Sequence, residues 1–312
     1  MITNNKDCFR LQKEKIIEKA NKMANLVPAI IHRSSNKLLI GKTFWKNVAL
    51  PKFLFATTVI PVNQAFMQKL QIIENKAFRL IFHAAKGTPI STLRGEIGSS
   101  LMCSRVEKNK LIFLKHLFNS NNQLLKNVVK SHLDEKRSPW AKEASNLLTR
   151  NNLTSESLKS TSKDTISKWI RERDHNEWKQ NIEGKTSLSL YRKFKGKLKE
   201  ENIYSNNYGS VLLFKCRTNT LNLNDRNRFV GGSTECPGCK CSREDLLHFL
   251  LECPLYSNIR GEFTQLQQPY IEETDEILAR LLLFYEQPLE TQLEVQRYLC
   301  RIYHKRGKLL EE

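Results

Sequence analysis

Four residues in the C-terminal third of the chain have types and spacing that could hold one metal ion: Cys236-x2-Cys239-x8-His248-x4-Cys253. A Cys-x2-Cys pair aims two thiolates at one point because the turn between them is tight. Pro237 and Gly238 suit that turn. Ser242, followed three residues on by Asp245, is a capping signal for a helix of about ten residues that Pro254 ends. His248 then lies mid-helix and Cys253 at its C-terminal edge. On an ideal α-helix, residues five apart are separated by about 140°, so both reach one ion only if the helix loosens before Pro254. Three thiolates and one imidazole would close a structural tetrahedron, with zinc the expected ion and no open position for a reacting water. Cys241 is a spare thiol that could replace Cys236 or Cys239. Free thiols and disulfides are the competing readings of the cluster. Cys8, Cys103, Cys216 and Cys300 are scattered and read as small core residues.

The bulk properties frame that choice. The chain has 312 residues, of which 40% are hydrophobic and 27% charged, enough to bury a core. No stretch approaches the roughly 20 apolar residues of a membrane span, and the N-terminus lacks the apolar core of a signal peptide. The expectation is an intracellular protein of nucleus and cytoplasm, where clustered cysteines favour metal over disulfides. The formal charge of +19 is uneven: residues 1–100 and 101–200 each carry +11, and residues 201–312 carry −3. Such a basic bias points to a polyanion, with nucleic acid first among partners and a membrane surface disfavoured.

The elements read as mainly α. Residues 9–27 have helical spacing, with Pro28 at the end, and a second helix is expected over 35–49. The run over 53–60 is ambiguous between helix and strand. Residues 63–85 give the clearest helix, with Phe66, Leu70, Ile73, Ala77, Leu80, Ile81 and Ala84 on one face. Lys69, Lys76, Arg79, His83 and Lys86 form a stripe beside it, either a solvated surface or a contact to phosphates. Thr88 is placed to cap a short helix beginning at Pro89, with Gly95 and Gly98 breaking it. Further helices are expected from about 104, over 123–133, over 140–149 and over 164–180, the last with Trp169 and Trp178 in the core. Residues 134–165 read as a loosely packed polar connector. The division is a helical region over 1–133, a polar connector over 134–210, a Cys-Cys-His-Cys module over 211–260 and C-terminal helices over 261–312.

Two stretches carry a resemblance. "KLQIIENKAFRLIFHAAKGTPISTLRGEIGSS" resembles the segment that follows the polymerase palm in reverse transcriptases of non-LTR retrotransposons, and "CPGCKCSREDLLHFLLECPLY" resembles that family's C-terminal zinc module. Residues 9–118 and 211–260 carry the likeness. It implies Cys236, Cys239, His248 and Cys253 as zinc ligands, with Cys241 a departure from the usual spacing. It also implies a thumb-like helical bundle over 1–130 that holds a template–primer duplex by its backbone. The paired aspartates of a polymerase site are missing: the seven aspartates are scattered with no two adjacent. The fingers and palm would lie upstream of Met1, and the 59 residues after Cys253 show no nuclease metal pattern. The expectation is a fragment of a transposable-element enzyme that does not itself polymerise or cut.

The expected function is a zinc-stabilised nucleic-acid-binding fragment that engages element RNA, DNA or their duplex, with the missing polymerase half as a further expected partner. Lys69, Lys76, Arg79 and Lys86 are the candidate phosphate contacts of the thumb, and Arg217, Arg226 and Arg228 those near the zinc module. The competing reading pairs the three arginines with Glu235, Glu244 or Asp245. The rival class is a protein–protein module with a purely structural zinc site, in which Val295, Leu299, Ile302 and Tyr303 face a partner. A hydrolytic zinc enzyme is disfavoured by the four protein ligands.

Overall fold

Helical spacing dominates the sequence, and helices are what it forms. A computed structural model describes residues 9–32, 36–136, 138–240, 243–263, 275–284 and 288–311. In chain order its α-helices are α1 (Arg10–His32), α2 (Lys37–Phe44), α3 (Leu50–Leu54), α4 (Gln64–Ile81), α5 (Ile90–Ile97), α6 (Met102–Phe118), α7 (Gln123–Glu135), α8 (Pro139–Arg150), α9 (Ser155–Ser160), α10 (Lys163–Glu183), α11 (Ser189–Phe194), α12 (Tyr208–Arg217), α13 (Ser257–Gly261), α14 (Asp275–Leu283) and α15 (Leu289–Glu311). Among the described residues there is no strand, only two isolated bridges, Ile97 with Glu200 and Glu235 with Arg243. No helix among them is long and apolar enough to cross a membrane. The chain forms two units, one of Met1–Ser34, Ile40–Ile81 and Ser99–Trp178, the other of Ser35–Leu39, Phe82–Gly98 and Lys179–Glu312.

In the first unit α1 buries Ile16, Ala20, Met23, Ala24, Val27 and Ile31, one stripe at helical spacing. The helix runs through Pro28 instead of stopping there. Pro28 is exposed, so its ring lies away from the core, while Val27 and Ile31 continue the buried face on either side of it. After α2 the chain widens into a π turn over Trp45–Ala49, closed by the Leu50 N–H on the Trp45 carbonyl. Pro51 thereby falls in the first turn of α3, where no N–H is required. The ambiguous run over 53–60 is the end of α3 and a 3₁₀ turn, not a strand. Trp45 packs on Phe53 and Phe78 with ring centroids 5.9 and 6.3 Å apart.

Glu74 of α4 is fully buried, and its carboxylate accepts from Trp45 Nε1 at 3.1 Å, Gln71 Nε2 at 3.1 Å and Arg105. The side-chain oxygen of Gln71 in turn accepts the Met102 N–H at 2.9 Å at the start of α6. The Gln-x2-Glu core of the resemblance is thus a buried polar clamp that joins the Trp45 turn, α4 and α6. Residues 134–165 are not the loose connector expected from their polar composition. Val129, Ala144, Leu147, Leu158, Ile166 and Ile170 share a core with Leu111, Leu114 and Phe118 of α6. Trp178 is buried as expected, but Trp169 is 44% exposed, because it lies at the flank of the buried face of α10, about 60° around the helix from Ile166 and about 100° from Ile170.

The second unit is built around α5, α12 and α15. Pro89 is the N-cap of α5, with no side-chain cap, so Thr88 does not hold that role. Gly95 stays inside the helix. Gly98 ends it in the left-handed region at φ +65°, and a Cβ there would lie 2.3 Å from the backbone nitrogen of Glu200. Only glycine meets both demands. Glu96 is fully buried, and Arg217 Nε and Nη2 donate to its two oxygens at 3.2 and 3.1 Å. The Tyr204 hydroxyl also donates to Glu96, and the Arg217 guanidinium stacks 4.5 Å over the Phe284 ring while donating to the Leu283 carbonyl. Burial by itself would raise the Glu96 carboxyl, but the charges of Arg217 and Lys195 and the Tyr204 hydrogen bond hold it below its ordinary value.

Removing one partner of such a pair strands the other charge in the interior. Glu96→Ala is expected to lower unfolding free energy by about 3–5 kcal/mol, read from urea melts of the metal-loaded chain. The pair's contribution is fully present above the ordinary carboxylate range and is lost as pH falls through the lowered Glu96 value. A urea midpoint that falls with acid in the wild type and is flatter in Glu96→Gln is the expected signature.

Candidate metal centre

The second unit brings together the four residues singled out by spacing. The ligand atoms of Cys236, Cys239, His248 and Cys253 all lie within 4.8 Å of one another. Cys236 Sγ and Cys253 Sγ are 3.7 Å apart, and Cys239 Sγ and His248 Nε2 are 3.4 Å apart. A disulfide needs a sulfur–sulfur distance of about 2.05 Å, so these thiols are not bridged. For metal–sulfur bonds of about 2.3 Å the edge of a tetrahedron is about 3.8 Å. The two short separations match that edge, and the four atoms are close enough together to hold a metal ion. Cys236, His248 and Cys253 are buried and Cys239 is half-buried. Cys241 and Ser242 lie outside the described residues.

Local chemistry explains the placement. The Lys240 N–H closes the turn after Cys236 by donating to its carbonyl at 3.0 Å, with Lys240 itself at φ +57°. The Glu235–Arg243 bridge and the Glu244 N–H donated to the Thr234 carbonyl at 2.8 Å fasten the two sides of the loop. The expected α-helix over 243–252 does not form at full length. Asp245 supplies its cap, with Oδ1 accepting the His248 N–H at 2.9 Å. A π turn then spans His248–Glu252, closed by the Cys253 N–H on the His248 carbonyl at 2.9 Å. This wider turn is how the 140° problem is solved. A hydrogen bond across five residues stacks residue 253 back toward residue 248, and Cys253 leaves the helix at φ −53°, ψ 118° before Pro254.

The surroundings orient the ligands. His248 presents Nε2 to the thiols, and its Nδ1 lies 3.4 Å from Glu252 Oε2, an outer carboxylate that can set the tautomer. The Cys253 carbonyl accepts from Arg260 Nη2 at 2.6 Å. Phe249 and Tyr256 pack edge to face beneath the turn with centroids 5.5 Å apart. Burial, with Cys236 and Cys239 close by, pushes the Cys253 thiol up to about 12. A divalent cation reverses that logic by stabilising the thiolate. Glu244, fully buried, anchors the module to α15: Arg306 Nε and Nη2 donate to its two oxygens at 2.6 and 2.7 Å, and the Asn224 N–H adds a bond at 2.7 Å. Spacing gave no hint of Arg306, which is distant in sequence. Glu252, four residues after His248, was visible but not recognised as its partner.

The basic candidates separate into three groups. Lys69 and Lys76 are exposed on α4 of the first unit, with Lys76 Nζ donating to Asn25 Oδ1 at 2.9 Å, and Arg79 is half-buried. Lys86 is exposed in the second unit. Arg226 is exposed and donates to the Asn219 carbonyl at 3.0 Å, and Arg228 is exposed with Nη1 3.7 Å from Asp225 Oδ1. Arg217 corrects the sequence reading: it is 2% exposed and fully engaged with Glu96, so it cannot reach a phosphate. Glu244 is occupied by Arg306.

Comparison with protein-family models, curated proteins and solved structures returned no match.

Two outcomes are expected at this site. Elemental analysis of the purified chain should give one metal ion per chain, lost in Cys253→Ser, and the bound fraction should fall as pH falls, because three thiols and an imidazole must release protons to bind. Glu252→Gln should retain the fold but weaken the metal about 10- to 100-fold in chelator competition.

Proposed function

We propose that this chain is a nucleic-acid-binding module whose Cys-Cys-His-Cys group is closed by one structural zinc ion, related to the C-terminal part of non-LTR retrotransposon reverse transcriptases. The observation that carries the reading is the cluster itself: three sulfurs and one imidazole nitrogen within 4.8 Å of one another, with an outer carboxylate on the imidazole. That donor set suits zinc among divalent ions. Zinc would be held by Cys236, Cys239, His248 and Cys253, and would supply a cross-link between the 233–240 loop and the π turn. Four protein ligands leave no position for a reacting water, so the ion's role is structural and the chain is not assigned an enzymatic activity.

The polyanion is inferred from charge. The first two hundred residues carry +11 and +11, against −3 for the rest, and Lys69, Lys76, Lys86, Arg226 and Arg228 are exposed. Contacts of this kind position a backbone and read no bases, so RNA, DNA and their hybrids are all within range. The rival, a protein-docking module, relied on the apolar face of the last helix. Val295, Leu299 and Ile302 are 3%, 2% and 0% exposed in the second unit itself, so that face is already covered. Element RNA and a template–primer duplex are the partners the resemblance favours.

Binding of a labelled RNA hairpin and a DNA duplex across a salt series tests this. The expected result is affinity that falls steeply with salt, with little sequence preference. Arg226→Ala with Arg228→Ala, and separately Lys69→Ala with Lys76→Ala, should each flatten the slope by about one per lost contact. No binding to either probe at low salt by a zinc-loaded, folded chain would remove the reading.

A further inference from the structure

The second unit contains a cationic cavity that the metal centre and the arginine loop do not use. Its volume is about 450 Å³, and its lining includes Lys37, His83, Asn206, Asn207, Tyr208 and Lys215. No carboxylate lines it. Lys37 and His83 are exposed and Lys215 is half-buried, and their side chains have no ion-pair or hydrogen-bond partner among the described residues. Burial lowers the His83 imidazole, and Lys37 and Lys215 lower it further, so both lysines act on the same point.

The polar and aromatic groups around that point are oriented. Asn206 Oδ1 accepts the Lys37 N–H at 3.2 Å, and Asn207 Oδ1 accepts the Ser210 N–H at 3.0 Å. With both oxygens engaged, the two amide NH₂ groups remain as donors. Tyr208 is 56% exposed, and its ring is steadied by Tyr303, with centroids 6.5 Å apart. Unpaired cations, amide donors and one large exposed ring on a single cavity match the demands of a nucleotide within a single strand. Its phosphodiester needs positive charge and N–H donors, and its unpaired base needs an aromatic face. A duplex would offer the phosphates but keep its bases stacked on each other.

We propose that this cavity is a single-strand site, in which Lys37, His83 and Lys215 hold a phosphodiester and Tyr208 stacks on an adjoining base. The site rests on the nucleic-acid reading above and narrows it to unpaired RNA or DNA at this position. Phosphate entry would also stabilise the protonated His83, so occupancy of the site takes up a proton.

The test uses the full zinc-loaded chain with a fluorescent twelve-nucleotide single strand and the matching duplex. Three proteins are compared: wild type, Tyr208→Ala, and Lys37→Ala with Lys215→Ala. All three substituted side chains are at least partly exposed, and circular dichroism verifies the fold. Tyr208→Ala should weaken the single strand about tenfold or more and leave the duplex unchanged. The lysine pair should flatten the single-strand salt slope by about 1.4. Inorganic phosphate at millimolar concentration should compete weakly and equally against wild type and Tyr208→Ala. Single-strand binding unmoved by either variant overturns this site and leaves the broader reading standing. Absence of any nucleic-acid binding by the wild type overturns both.

Discussion

A carboxylate without access to water organises the second unit. Glu96 sits at the end of a short helix, and its two oxygens are met by Arg217 from α12 and the Tyr204 hydroxyl from the loop before it. A buried charge of this kind is tolerated only where each lone pair is answered, which makes the arrangement of its partners stringent. The same answer is repeated elsewhere in the chain. Glu74 collects Trp45, Gln71 and Arg105 in the first unit, and Glu244 collects Arg306 and Asn224 beside the metal centre. In each case one buried acid ties together segments remote in sequence. Stability of such polar centres is bought with strict geometry, and it brings a defined register between helices that apolar packing alone leaves looser.

The metal centre depends on this framework. Arg306 fixes Glu244, the backbone of Glu244 fastens the loop to Thr234, and that loop carries Cys236 and Cys239. From the other side, the Tyr298 hydroxyl donates to the Leu250 carbonyl and Lys305 Nζ to the Leu255 carbonyl at 2.6 Å, so α15 supports the π turn that presents His248 and Cys253. A closed four-ligand site built this way stabilises a small domain and leaves chemistry to other surfaces. The exposed cations and the Tyr208 cavity are the surfaces we propose for that role.

The basic residues illustrate why charge alone is a poor guide to function. Arg217, Arg226 and Arg228 stand close together in sequence and look alike. Arg217 is a core residue, its guanidinium stacked on Phe284, while Arg226 and Arg228 are exposed. Conversely, Lys37 and Lys215 attract no notice in the sequence, and the fold places both at one cavity. The polar stretch over 134–165 misled in the other direction: its few apolar residues, Ala144, Leu147 and Leu158, are spaced to reach one core although the average composition is hydrophilic.

The sequence by itself determined the helical class, the positions of α4, α6, α7 and α8, and the four residues that cluster as a candidate metal group, because helical periodicity and Cys-x2-Cys spacing are local and are written in consecutive residues. Only the tertiary structure decided which acids are buried, which arginine answers each, and how His248 and Cys253 come to one point. Those outcomes depend on pairs such as Glu96 with Arg217 and Glu244 with Arg306, far apart in the chain, and on a π turn whose extra residue leaves no periodic trace. A local pattern can state what each segment prefers. The desolvation of a charge is settled only when the partner that compensates it has been brought alongside.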